Sequence, residues 1–209
     1  MTDFAVDTEG EPAVAPDPAI GLVAGRFSIA DLDAFLADLD EIAAETGAVV
    51  QAFDADLVVS SAHLREAARL AARSIARREA VARDPGVEIL LYAAGRRQID
   101  RALELGVSEG ERAAVVLVAD FGDVSGVDRP ATDVDGAAEA VRELTADGGD
   151  GAGEFDEDRN PVFDENRNPA LDEDRVREFY DVTDCELAAT TGDLADVVRE
   201  RVALLDVEK

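Results

Sequence analysis

The chain has 209 residues, 47% of them apolar, and its 20 basic against 48 acidic side chains give a net charge of −28. That length and apolar share suit one domain with appendages and a real core, so the charge does not mark a disordered chain. A single cysteine, Cys185, excludes an internal disulfide and a thiolate metal cluster. No run approaches the ~18 apolar residues of a membrane span. The acidic start lacks the basic and apolar regions of a signal peptide, so a cytoplasmic protein with no membrane partner is expected. Lys209 is the only lysine, against 19 arginines. Acids spread along most of the chain with almost no lysine look like the salt-adapted surface of extremely halophilic archaea, where salt screens their repulsion.

Residues 1–19 hold Pro12, Pro16, Pro18 and five acids without periodicity, and read as a disordered acidic tail. Ile20–Phe27 begins the folded part as a strand. Ser28 with Asp31 opens a helix through Leu32, Phe35, Leu36, Leu39 and Ile42, which Gly47 closes. Ala48–Phe53 is a β-branched strand, and Leu57–Val59 a short extension or second strand. Ser60 and Ser61 cap a helix reaching to about Arg83, with Leu64, Ala68, Ala71 and Ile75 on its core face. Asp84-Pro85-Gly86 breaks it. Val87–Ala93 reads as a second apolar strand, followed by Gly95-Arg96-Arg97 and a helix through Leu105. Arg112–Ala119 is a third buried-type strand. Strands alternating with helices argue an α/β domain with a central mixed sheet packed by helices.

Ala137–Leu144 reads as a short helix, and an acidic insert of period eight spans 145–175. Its units are Phe155–Pro161, Phe163–Pro169 and the partial Leu171–Arg175. They lack the glycine turn and terminal glutamate of a calcium loop, so a solvated low-complexity segment interrupting the domain of residues 20–208 is expected. Thr183 with Glu186 and then Asp193 cap the last helices. In the final one Leu194, Val197, Val198, Val202, Leu204 and Leu205 span about 160°, wider than the ~100° that one neighbour requires. Either a second protein or a second element of the same fold would account for the excess.

Residues 61–101 hold nine arginines and five acids, a positive island in an acidic chain. Arg65, Arg69, Arg73 and Arg77 follow at four-residue spacing and form a stripe on one helix face. Arginine forks onto phosphates and stacks on bases, the two needs of single-stranded RNA recognition. Arg96 and Arg97 stand where a helix is expected to start, so free backbone N–H groups would face the same anion. Local pairing within the stripe is limited to Glu66 and Glu79, which favours an RNA contact over a merely solvated face.

The segments VQAFDA (50–55), SSAHLREAARLA (60–71), EILLYAAGRRQIDRALELGV (88–107) and ERVALLDV (200–207) resemble the small non-catalytic subunit of the KEOPS complex, the PRPK-binding protein family. The Gly-Arg-Arg-Gln-Ile element after Glu-x-Leu-x-Tyr is its most specific part, and the resemblance covers about 20–119 and 180–208. It implies a mixed α/β fold without catalysis, cofactor or metal of its own. It also implies docking on the kinase-like ATPase subunit, indirect association with the other KEOPS subunits, and recruitment of tRNA by its CCA 3′ end for threonylcarbamoyladenosine modification. Carried over by position, the RNA face comprises His63, Arg65, Arg69, Arg73, Gly95, Arg96, Arg97 and Gln98. The partner face comprises Leu194, Val198, Val202, Leu204 and Leu205.

The rival reading is a small α/β enzyme using His63 or Cys185, each the only residue of its kind. No nucleophile motif, phosphate loop, Rossmann fingerprint or metal pattern accompanies either.

Overall fold

The computed structural model describes residues 17–122, 131–146, 168 and 170–207. The expected tail up to residue 16, and the repeat units up to Arg167 together with Pro169, lie outside them. The described residues form three strands, β1 (Ile20–Ile29), β2 (Val49–Asp54) and β3 (Gly110–Ala119). Eight helices accompany them: α1 (Leu32–Thr46), α2 (Ser61–Ala76), α3 (Pro85–Ala93), α4 (Ile99–Ala102), α5 (Val134–Glu143), α6 (Glu173–Phe179), α7 (Asp184–Ala189) and α8 (Leu194–Val207).

The sheet order is β1-β3-β2, and β3 runs antiparallel to both neighbours, so the sheet is antiparallel rather than mixed. The first strand is longer than expected because Ser28 pairs with Glu111 inside it, and Asp31 alone caps α1 by accepting from Ala34 N at 3.0 Å. Both faces of the sheet are covered. Ala114, Val116 and Val118 pack with Phe35, Leu39, Ile42 and Val141 of α1 and α5. Val115, Leu117 and Ala119 pack with Leu64, Leu90, Val176, Val198 and Val202 from the opposite helical layer. The continuous apolar run of β3 follows from this, since a strand with no solvent face has no polar positions to alternate.

The main correction to the expected elements is Val87–Ala93, which is helical. Asp84 accepts from Val87 N at 3.0 Å and Pro85 occupies the first turn, two start signals that the strand reading treated as a break. The helix is buried nearly all round, so its sequence carries no helical period. Ala55–Leu57 is a single 3₁₀ turn rather than a strand extension. The preceding helix, α2, stops at Ala76 rather than near Arg83. Arg78 takes a left-handed φ of 60°, and Arg78 N and Glu79 N bond back to Ile75 O and Ser74 O at 2.9 Å each. That is a helix-ending Schellman pair without its usual glycine.

The end of the period-eight segment belongs to the fold. Asn168 is buried and donates to Ala55 O and Val58 O at 2.6 Å each. Asp172 caps α6, whose Arg175 bridges Asp54 and Asp56 at 2.8 and 2.6 Å.

Candidate nucleic-acid and partner interface

Ser60 accepts from His63 N at 3.2 Å and starts α2, which places the imidazole at the first turn, under α3. His63 is fully buried, with Nε2 2.8 Å from Ala93 O. The Tyr180 hydroxyl donates to the same carbonyl at 3.0 Å, and the two rings meet edge to face at 6.1 Å. Burial lowers the imidazole pKa from the ordinary 6.5 to about 4, against the smaller raising effect of the Ala93 bond. A neutral ring donating from Nε2 fits this arrangement. The expected direct contact of His63 with RNA is therefore corrected: a side chain without exposed surface holds α2 against α3 and α6. Cys185 is exposed on α7. Among the described residues no group of three or more His, Cys, Asp or Glu is placed to hold a metal ion.

The arginine stripe of α2 is half-buried to exposed, and all but Arg69 have partners that lie far away in sequence. Arg65 donates to Ile20 O at 3.0 Å, and Arg69 Nε donates to Glu66 at 3.1 Å. Arg73 pairs with Asp206 of α8 at 2.9 Å, and Arg77 stands 4.0 Å from the same carboxylate. Outward surface remains on all four, with Arg77 nearly half exposed.

Gly95 ends α3 rather than starting a helix. Its φ is +60°, and Gly95 N and Arg96 N bond to Tyr92 O and Leu91 O at 2.9 and 3.1 Å. A Cβ at this position would stand 3.2 Å from Arg201 Cβ, so glycine is needed both for the turn and for the approach of α8. The reading of free amides around Arg96 and Arg97 is corrected accordingly, because Arg96 N–H closes the helix before it. Arg96 donates to Phe179 O and to Asp181 at 2.9 Å, with its guanidinium 5.4 Å from the Phe179 ring centroid. Arg97 donates to Leu205 O at 3.1 Å. Gln98 is exposed and caps the single-turn α4 without a side-chain bond.

The breadth of α8's apolar face has an internal cause. Val197, Val198, Val202 and Leu205 are buried in the core shared with α2 and α3, so Val198, Val202 and Leu205 are corrected from partner-binding to core residues. Leu194 is half-buried, while Leu204 and Val207 are 47% and 77% exposed. Two acids to which the sequence assigns no role organise the region. Asp206 gathers Arg73, Arg77 and the Tyr92 hydroxyl. Glu88, buried, accepts from Ser74 Oγ, Val81 N and Ala82 N at 3.2, 3.0 and 2.8 Å. No spacing rule would have found these acids, since Asp206 meets its cation across 133 positions.

The molecule is thus an α/β sandwich with an arginine-ribbed helical face closed by its last helix. Residues 35–206 match the family described as kinase binding protein CGI-121, and the chain belongs to that family, the small-subunit family of KEOPS. No curated protein sequence matches the chain.

Proposed function

We propose that this protein is the KEOPS subunit that docks on the kinase-like ATPase subunit and brings tRNA to it by the single-stranded CCA 3′ end, for threonylcarbamoyladenosine modification. The observation that carries this reading is the family match across residues 35–206, which spans nearly all the described domain. The RNA arm is supported by the outward surfaces of Arg65, Arg69, Arg73 and Arg77 along one helix, with Arg96, Arg97 and Gln98 at the neighbouring turn. Guanidinium groups in a row suit successive phosphates, and their planar forks also stack on unpaired bases. The partner arm is supported by the exposed apolar pair Leu204 and Val207 at the end of α8.

The test uses the full chain with the purified kinase-like subunit and with tRNA, at one fixed salt concentration. A stable complex with that subunit is expected, together with tRNA binding that drops on the order of tenfold when the CCA end is removed. The protein alone, given ATP, threonine, bicarbonate and tRNA, is expected to yield no modified nucleoside. Equal affinity for intact and CCA-less tRNA would remove the 3′-end assignment. Failure to bind the kinase-like subunit would remove the docking assignment.

A further inference from the structure

Donors from three segments converge on two consecutive residues in the last turn of α8. Asp206 Oδ2 accepts from Arg73 Nη2 at 2.9 Å and lies 4.0 Å from Arg77 Nη1, while Oδ1 accepts from the Tyr92 hydroxyl at 3.1 Å. Arg97 donates to the adjacent Leu205 carbonyl at 3.1 Å. The Asp206 side chain is only 11% exposed. Helix electrostatics do not favour an acid here. The C-terminal end of a helix carries the negative end of its dipole, and the last turn of α8 holds no basic residue of its own. The arginines of α2 are what make the position tolerable.

A guanidinium fork, a second cation about 4 Å away and a neutral hydroxyl are also what a phosphate oxygen pair would be offered. Burial pushes the Tyr92 phenol pKa up, so it stays a donor. Arg73 keeps its Nε buried with no hydrogen-bond partner among the described residues, so its donor set is not exhausted by the carboxylate. Arg69 is held in the same manner. The Glu66 hydrogen bond chiefly raises its pKa, with Asp17 and Asp206 adding to the effect. Arg69, Arg73 and Arg77 thus lie near acids of their own chain, Glu66 on the same helix and Asp206 at the far end of the domain.

We propose that Asp206 is a built-in stand-in for a phosphate. On this view the cradle of Arg73, Arg77 and Tyr92 takes a backbone phosphate of single-stranded RNA in exchange for that carboxylate. RNA binding then loosens the last turn of α8, and the docked helix end sets the RNA affinity. This rests on the RNA-binding reading above and adds its regulation.

The experiment compares the wild type with Asp206→Asn, which keeps an acceptor for Tyr92 and removes the charge. The probe is a single-stranded RNA oligonucleotide ending in CCA, with affinity measured across a salt series. Asp206→Asn is expected to bind several-fold tighter, on the order of fivefold, the scale of one displaced partly exposed ion pair. Its salt slope is expected to steepen by about 0.7, one further phosphate contact. Arg73→Gln added to Asp206→Asn should cancel the gain. A second measurement needs no variant: hydrogen exchange at the amides of 203–207 in the wild type should speed up when RNA is saturating. Unchanged or weaker binding by a folded Asp206→Asn would overturn the proposal and leave RNA recognition standing, with Asp206 a structural tie. If that variant does not fold, exchange in the wild type decides, and slower or unchanged exchange overturns the proposal. If neither protein binds the oligonucleotide, the proposal and the RNA-binding reading fall together.

Discussion

Glu88 shows how far one side chain can act when it is buried. It gathers a serine hydroxyl of α2 and two backbone N–H groups of the α2–α3 connection, which ties that connection to α3. His63 plays the matching part at the other end of α3. Its folded pKa of about 4 lies below the ordinary 6.5, so the native state favours the neutral ring. The stability this contributes is fully present above about pH 6.5 and is lost as pH falls towards 4, amounting to about 3 kcal/mol at most. We expect denaturant unfolding of the wild type to show this acid loss, and His63→Gln to lack that component over the same range. Identical pH slopes for the two proteins would show that His63 is not the titrating group. At this scale the sequence displayed the arginines but not their partners. Glu66 was visible as a neighbour three positions from Arg69, whereas Asp206 and Asp181 reach their arginines only through the fold.

Legibility among the elements followed solvent exposure. Helices with one wet face, such as α1 and α5, and the buried β-branched strand β3 declared themselves by period or composition. The α3 segment did not, because a helix surrounded by protein has no polar side to mark its turn, and Asp84-Pro85-Gly86 serves equally well as a break or a helix start. The end of α2 was hidden for another reason: nothing in the residue type of Arg78 announces a left-handed conformation. The last helix was legible as a helix, and its excess apolar width was real but faced inward. The contrast yields a prediction. Val202→Arg places a charge at a fully buried position and should abolish cooperative unfolding. Leu204→Arg, at a position 47% exposed, should leave the melting temperature within a few degrees of wild type and weaken binding to the kinase-like subunit about tenfold or more. The measurements are thermal melts and titration calorimetry; a folded Leu204→Arg that binds normally would place the interface elsewhere.

The whole chain carries a net charge of −28, and many arginines of its described domain are committed to particular acids. Direct contacts near 2.9 Å are comparable with the ~3 Å screening length in 1 M salt, so they keep much of their strength there, while diffuse repulsion among the remaining carboxylates is removed. Stability should therefore rise with salt. We expect the melting temperature to climb by ten degrees or so between 0.1 M and 2 M potassium chloride, on the order of a few kcal/mol for a domain of this size. A flat or falling curve would mean that repulsion is not what limits this fold. The class of fold could be read from the chain, but the antiparallel order could not, because one miscounted strand changes every neighbour in a three-stranded sheet.

The buried amide of Asn168 fixes where the chain rejoins the domain. It ties to Ala55 and Val58, and Arg175 then locks onto Asp54 and Asp56. Ala146 N bonds to Arg26 O at 2.8 Å, so the described positions on both sides of residues 147–167 are tied to the domain, and for a flexible connection between two tied points a doubling in length costs only about 0.6 kcal/mol. Changing the number of residues between Ala146 and Asn168 should therefore leave α6 and α8 in the same seats.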